Sequence, residues 1–335
     1  MALLTFAGFD HISTSVDFAN YPGWTSSGLL TKTAGLLGGF AITASSSIRD
    51  AIFQTGSTFS TLIAGFRFRA NTIPASTFDF FKFLDSTSTQ CGLSLKADGT
   101  VIFWRGTNAT VLATSTTVLA AGSWYFFELK VTFHNTTGAY EFRIGGVTEF
   151  SGSGANTRNT ANNYATGTDM ICNGSVYAYD DYYLADTSGG APANDFLGVI
   201  RVEASYPTAA DGTSQWTPNA STNVSRVNEA AADDDTTYNS ASVSGNIDLF
   251  THGALSSTPT TIFGVAVTAK ARKDDVTARS LRTKLKSGTT TQNGASFALA
   301  TTYQYIRDQY VVDPNTSAAW TATNVNATSI GYEHV

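Results

Sequence analysis

Charged residues are scarce in this chain of 335 residues, in which Asp, Glu, Lys and Arg together make up only 14%. Ordinary soluble proteins contain about a quarter. The formal net charge of −6 disfavours nucleic acid as a partner, because phosphate binding needs a concentrated basic surface. Long helices, which draw on Glu, Lys, Leu and Arg, should be rare. The polar surface must instead consist of Thr, Ser, Asn and Gly, which is typical of β-rich extracellular or viral shell proteins.

Cysteines and long apolar runs are equally scarce. Cys91 and Cys172 lie far apart with no CxxC spacing, so we interpret them as buried small hydrophobic residues, with a disulfide left open. No apolar run approaches the roughly 20 residues that cross a bilayer, so we expect no membrane insertion. The start, MALLTFAGFDHI, lacks a basic leader and is interrupted by Asp10, so we expect no secretory signal. Synthesis in a cytoplasm combined with an extracellular type of surface fits a virion protein.

The strongest periodic pattern lies at residues 122–147. Hydrophobic and polar residues alternate over two runs, which the small polar turn NTTG (135–138) separates. Alternation with a period of two indicates strands that have one buried and one solvated face. The predicted buried residues are Phe127, Leu129, Val131, Phe133, Tyr140, Phe142 and Ile144. The predicted solvated residues are Glu128, Lys130, Thr132, His134, Glu141 and Arg143, and we expect the acids to pair with Lys130 or Arg143.

Further runs of this kind predict more short strands. They lie at 61–70, 77–86, 91–106 and 176–186, and ADG at 97–99 is a strong hairpin signal. No convincing helix accompanies them. We therefore predict an all-β fold of two antiparallel β-sandwich domains of jelly-roll type, joined by a short flexible linker.

The clearest interruption is the small, polar stretch DTSGGAPAND (186–195), which no periodic pattern crosses. We place the domain boundary there, with a first domain at 1–188, a linker at 189–195 and a second domain at 196–335. The second domain should open with a strand at 196–207.

Three stretches of the first half carry a family likeness. They are AGSWYFFELKVTFHNTTGAYEFRIGGV (121–147), YAYDDYYLAD (177–186) and FAGFD (6–10). Together they resemble the signature hairpin, closing strand and first strand of concanavalin-A-like and laminin-G-like lectin jelly rolls. The resemblance covers about residues 1–188 and implies a lectin-like sandwich.

The second half resembles a domain that follows such modules in virion proteins of tailed bacteriophages. The stretches that carry this likeness are 196–219, 269–288 and 311–333. The resemblance implies a structural or receptor-binding component of the virion, and it brings no catalytic residues with it.

Some relatives of this sandwich are glycoside hydrolases, which place two carboxylates on one sugar bond. Such families typically carry closely spaced acids, as in E-x-D-x-x-E. The six glutamates show no such arrangement: they are residues 128, 141, 149, 203, 229 and 333. The four histidines, at 11, 134, 252 and 334, show no metal spacing. We therefore expect that the protein has no enzymatic activity and no catalytic metal.

Two acidic segments can also be considered as metal ligands. Asp180 and Asp181 are weak candidates for Ca²⁺ ligands, as in some laminin-G-like modules, because hard oxygen ligands suit that ion. A strand-edge or turn-capping role is the competing interpretation. The acidic run at 233–235 is interpreted as a solvated loop. No other cofactor is expected.

Trp104 and Arg105 are the candidate ligand-binding residues. An exposed Trp stacks on sugar rings and Arg donates hydrogen bonds to hydroxyls, so the pair is compatible with a glycan site. The competing interpretation, which we favour, packs Trp104 at the edge of the core and leaves Arg105 in solvent.

The basic stretch 270–286 should form a strand with Leu281 and Leu285 on one face. Its opposite face should carry Arg282, Lys284 and Lys286. Such a basic face protects a sheet edge or docks an acidic neighbouring subunit. Pairing with nearby acids is the default interpretation.

These patterns together predict a bacteriophage virion structural protein, located in the head decoration, tail or fibre. We expect it to assemble as a homo-oligomer and to pack against other capsid or tail subunits. Contact with a host-surface glycan is a possible addition. The alternatives are a glycan-binding receptor adhesin and, less favoured, a polysaccharide depolymerase.

Overall fold

The computed structural model of the chain describes residues 3–12, 18–45, 47–190 and 192–335. Over these ranges it confirms the predicted all-β class. Helical structure there consists of the short α-helix α1 (Ala322–Asn326), two 3-10 turns and the helical residues Phe18 and Ala19. Within the described ranges, no helix combines the length and the apolar character that a membrane span requires. The chain divides into two compact units, of which the first comprises residues 1–19 and 23–202 and the second comprises 20–22 and 203–335.

The first unit is a two-sheet antiparallel sandwich. Its strands in chain order are β1 (Leu3–Ala7), β2 (Trp24–Ser26), β3 (Leu30–Ala34), β4 (Phe40–Ala44), β5 (Ile48–Phe59), β6 (Thr61–Ala70), β7 (Phe78–Asp85), β8 (Ser88–Leu95), β9 (Thr100–Arg105), β10 (Val111–Val118), β11 (Trp124–Thr132), β12 (Gly138–Ile144), β13 (Val147–Ala155), β14 (Ala165–Asn173) and β15 (Tyr177–Ala185). Sheet 1 has the order β13-β12-β11-β6-β15-β4-β3, with β1 paired to β15. Sheet 2 has the order β10-β9-β8-β7-β14-β5-β2.

Aromatic rings fill the space between the two sheets. Phe66 of β6 stacks on Phe81 of β7 with 4.8 Å between ring centroids, and Phe68 stacks on Phe80 at 4.5 Å. All four side chains are fully buried. Each buried ring stabilises the fold by roughly 1.5–3 kcal/mol through the apolar surface that it removes from water. Packing between the sheets therefore fixes which face of every strand is turned inward.

The hairpin predicted at 122–147 is confirmed as β11 and β12. Phe127 lies opposite Ile144 and Leu129 opposite Phe142, and the phenylalanines and leucine of these pairs are buried in the core. One prediction is wrong: Glu128 is fully buried. It does point away from the core, but residues after the sandwich cover it.

The predicted strand at 196–207 is also wrong over residues 196–206, which form no strand. Backbone N–H groups of this stretch donate to carboxylates of the first unit instead of to a neighbouring strand. The N–H of Gly198 donates to Glu128 Oε1 at 2.8 Å, and that of Val202 donates to Asp181 Oδ1 at 2.7 Å. Residues 196–202 consequently belong to the first unit, which extends to Val202.

Among the described residues, the second unit contains one six-stranded sheet, sheet 3, and two two-stranded sheets. Its strands are β16 (Pro207–Ser214), β17 (Thr217–Pro218), β18 (Asn239–Ser240), β19 (Ile247–His252), β20 (Val265–Ala271), β21 (Ser280–Ser287), β22 (Thr290–Asn293), β23 (Phe297–Ala298), β24 (Gln304–Tyr310) and β25 (Ser329–His334). Sheet 3 has the order β16-β19-β25-β21-β22, with β23 paired to β21. Strands β20 and β24 form a two-stranded sheet, and Val267 of β20 shares a small core with Leu285, Trp320 and Val325.

Gly65 supports the close packing of sheet 1, because the ring of Tyr183 lies where a Cβ atom at position 65 would be. Gly65→Ala should therefore destabilise the first unit by about 2 kcal/mol or more, since the ring must move out of a packed site. Gly190→Ala is the matched control, because position 190 faces open space. Urea denaturation of both variants measures the difference. Equal unfolding midpoints would contradict this packing.

Candidate functional site

One face of sheet 2 carries a continuous line of residues across all seven strands. Strand register places them side by side, and we call them the outer row: Thr25, Ile52, Asp169, Lys82, Gly92, Trp104 and Val111. The row faces away from the core, because Phe81, which neighbours Lys82 in β7, stacks on Phe66 of sheet 1. Ile52 and Lys82 are half-buried, so solvent reaches the centre of the row.

Asp169 lies at the centre of this row, between Ile52 and Lys82. Only 6% of the residue is exposed. Its Oδ1 atom is buried and accepts no hydrogen bond from the part of the chain that the structure describes. The pKa of Asp169 is raised to about 7, mainly by burial and also by the negative charge of Asp50, while the charge of Lys82 partly opposes both effects. A carboxyl group of this kind is characteristic of functional sites.

A second line of residues runs beside the outer row on the same face. It contains Asp50, Ile171, Asp79, Ser94 and Ile102. Asp79 Oδ1 accepts hydrogen bonds from the Ser94 hydroxyl at 2.6 Å and from Asn108 Nδ2 at 3.0 Å. Asp79 therefore has its hydrogen-bond partners within the protein, in contrast to Asp169.

Trp104 is packed, which is the interpretation that we favoured over stacking on a sugar ring. Only 1% of Trp104 is exposed, and its Nε1 donates to Ser94 Oγ at 2.5 Å. The ring lies against Gly92, where a Cβ atom would come within 2.6 Å of it. Arg105, at the end of β9, is half-buried. Trp104 thus offers no free ring face.

The outer face of sheet 1 is occupied by the chain itself. Residues 195–202, which we call the covering segment, lie over it. Tyr183 donates its hydroxyl to Glu128 Oε1 at 2.6 Å, and burial raises the pKa of Glu128. The guanidinium of Arg143 lies 3.9 Å from the ring centroid of Phe196. This face therefore has less room for a ligand than the outer face of sheet 2.

Asp180 and Asp181, the candidate calcium ligands, are both buried on β15. Asp181 forms an ion pair with the guanidinium of Arg67 and also binds Val202 of the covering segment. Burial, and then the charge of Asp181, raises the pKa of Asp180 to about 8. Among the described residues, no group of three or more His, Cys, Asp or Glu side chains is placed to hold a metal ion. Asp181 thus anchors the covering segment.

The basic stretch 270–286 is paired with acids of the second unit. Its ion pairs are Lys270–Asp234, Arg272–Asp235, Arg279–Asp275, Arg282–Glu333, Lys284–Glu333 and Lys286–Asp211. The predicted faces are confirmed for Leu281 and Leu285, which are buried. The acidic run 233–235 is not simply solvated, because two of its three carboxylates belong to these pairs. Local pairing thus accounts for the charges of this stretch.

The two cysteines are free and buried, as interpreted. Cys91 lies on β8 and Cys172 on β14, and β7 separates these strands in sheet 2. Burial raises the pKa of both thiols. Both residues act as small core side chains.

No protein-family model and no curated protein matches the chain. Solved structures similar to it include the endo-β-1,4-glucuronan lyase of the fungus Trichoderma reesei, at 11% identity and a TM-score of 0.37, covering 50% of this chain and 92% of the other. Domain 4 of AbnA, an extracellular arabinanase of Geobacillus stearothermophilus, shows 17% identity and a TM-score of 0.41, with 55% and 92% covered. The carbohydrate-binding module CBM66 of Bacillus subtilis shows 11% identity and a TM-score of 0.34, with 50% and 98% covered.

The raised pKa of Asp169 gives the stability a specific pH dependence. The folded state favours the protonated carboxyl, so this contribution is complete below the ordinary value of 3.8 and is lost as the pH rises through about 7. The free energy of unfolding of Asp169→Asn, relative to that of the wild type, should therefore increase by roughly 3 kcal/mol from about pH 5 to about pH 8.

Urea denaturation at both pH values measures this gain, and the exposed Asp274→Asn is the control. A parallel pH dependence in the wild type and Asp169→Asn would show that Asp169 titrates normally.

Proposed function

We propose that the first unit is a glycan-binding module and that the outer row of sheet 2 holds the ligand. The observation that carries this proposal is Asp169, whose buried Oδ1 lacks a hydrogen-bond donor. An unpaired buried carboxylate is costly. A sugar hydroxyl that donates to Oδ1 would remove that cost. The bound sugar would thus restore a hydrogen bond that the protein alone lacks.

The surroundings of Asp169 suit an extended chain of sugars. The row crosses seven strands, which at about 4.8 Å per strand span roughly 29 Å between the outermost strands. Lys82 supplies three donors beside the acceptor of Asp169. A polymer lying along the row would therefore meet the acceptor of Asp169 and the donors of Lys82 side by side at its centre.

Glycan binding and the virion role are separate proposals. The virion assignment remains a prediction from the likeness of the second half to phage domains, as do the homo-oligomer and the capsid or tail partners. A surface that binds glycans would serve a receptor-binding virion component, through weak contacts repeated over many copies. It would serve equally outside a virion.

Lys82→Ala should weaken glycan binding about tenfold or more, because a hydrogen bond from a charged donor contributes roughly 1.5–3 kcal/mol. Lys130→Ala is the matched control, since Lys130 lies on sheet 1 and pairs with Asp195. A glycan array identifies ligands of the wild type, and calorimetry on the best of them compares the variants. Saturable binding that Lys82→Ala leaves unchanged would contradict the proposed location.

Hydrolysis of the glycan is a second candidate, which one observation favours. Asp169 has a pKa of about 7 and shares its face with Asp50, whose negative charge contributes to that pKa. A protonated carboxyl beside an ionised one is the pair that glycoside hydrolysis needs. Release of reducing ends from a bound polysaccharide, abolished in Asp169→Ala, would support this candidate. Binding without such release would leave the module non-catalytic.

A further inference from the structure

The outer face of sheet 2 is acidic at its centre. The outer row and the line beside it contain three carboxylates, Asp50, Asp79 and Asp169, and one amine, that of Lys82. Asp79 already accepts two hydrogen bonds from protein side chains. The excess of negative charge therefore concentrates around Asp50 and Asp169.

Asp50 and Asp169 lie close to each other on this face. Asp169 is opposite Ile52, and Asp50 is two residues along the same strand from Ile52. Side chains on such a diagonal are roughly 7 Å apart. The charge of Asp50 correspondingly disfavours the ionised form of Asp169. A ligand that brings a positive charge to this point would relieve both the repulsion and the unpaired acceptor.

We propose that the outer row selects glycans that carry free amino groups over acidic polysaccharides. This inference rests on the proposed glycan-binding function and names the ligand class of that same site. An ammonium group on the sugar donates an N–H to Asp169 Oδ1 in a charge-assisted hydrogen bond, which is about twice as strong as a neutral one. An N-acetylated sugar retains one N–H but loses the charge.

Acidic sugars should bind poorly at the same position. A uronate carboxylate would place a third negative charge beside Asp50 and Asp169, and a carboxylate has no donor for Oδ1. Like charges at this distance are repulsive, and partial burial limits their screening by salt. Lys82 is the one cation on these two lines that could offset them.

The experiment compares four soluble probes by calorimetry at neutral pH: oligomers of glucosamine, of N-acetylglucosamine, of glucose and of glucuronate. We expect glucosamine oligomers to bind at least tenfold more tightly than N-acetylglucosamine oligomers, and glucuronate oligomers to bind most weakly. Asp169→Asn should reduce the preference for glucosamine to threefold or less, because the amide is neutral. Asp274→Asn, which removes the same charge from the second unit, should retain the full preference.

The outcomes separate the two proposals. Equal affinity for the amino and N-acetylated oligomers, or tightest binding of glucuronate, overturns the inference while glycan binding stands. Absence of binding to all four probes and to a wider glycan array overturns both. An equal loss of preference in Asp169→Asn and Asp274→Asn shows attraction by net charge alone and also overturns the inference. Melting curves of both variants confirm that they are folded.

Discussion

The packing of aromatic rings between sheets 1 and 2 is the constraint on which the site depends. Phe66 and Phe81 meet across the sandwich, and this contact fixes the inward face of β7. Side chains alternate along a strand, so a shift of one residue would turn every one of them to the other face. A bulge between Asp79 and Phe81 turns Phe80 and Phe81 both inward. Regular alternation follows, so Lys82, between the buried Phe81 and Phe83, points outward, and register with β14 places Asp169 beside it. Core packing therefore determines which residues form the outer row, although no core side chain belongs to the row.

The two outer faces of the sandwich differ because the chain covers only one of them. On sheet 1, Glu128 and Asp181 accept hydrogen bonds from backbone N–H groups of the covering segment. Their charges are thus used to hold the protein's own backbone. On sheet 2, Asp169 has the same burial but no such partner. Glu128 keeps one unpaired buried oxygen, Oε2, beneath the covering segment, and Asp169 keeps one, Oδ1, on the face that the covering segment does not occupy.

The sequence correctly predicted those strands in which hydrophobic and polar residues alternate strictly. Its predictions were wrong where contacts with distant residues determine the local structure. The β11–β12 hairpin was predictable because its period of two is uninterrupted. Residues 196–206 were predicted to form a strand. In the structure, carboxylates of β11 and β15 accept hydrogen bonds from N–H groups of this stretch. Asp169 escaped prediction because ATGTDMICN alternates poorly, and its neighbours Asp50 and Lys82 come from other strands. Trp104 was correctly interpreted as packed, but its contact with Gly92 depends on the register of β8 and β9.

The ionisation of Asp169 tests the central claim most directly. Its side-chain carboxyl can be followed by carbon NMR over a pH titration of the intact protein, with Asp169→Asn used to assign the signal. Our account predicts a midpoint near 7, because burial and Asp50 disfavour the charged form. A midpoint near the ordinary value of 3.8 would mean that Asp169 is solvated or already paired, and the outer row would then lose its status as a binding site.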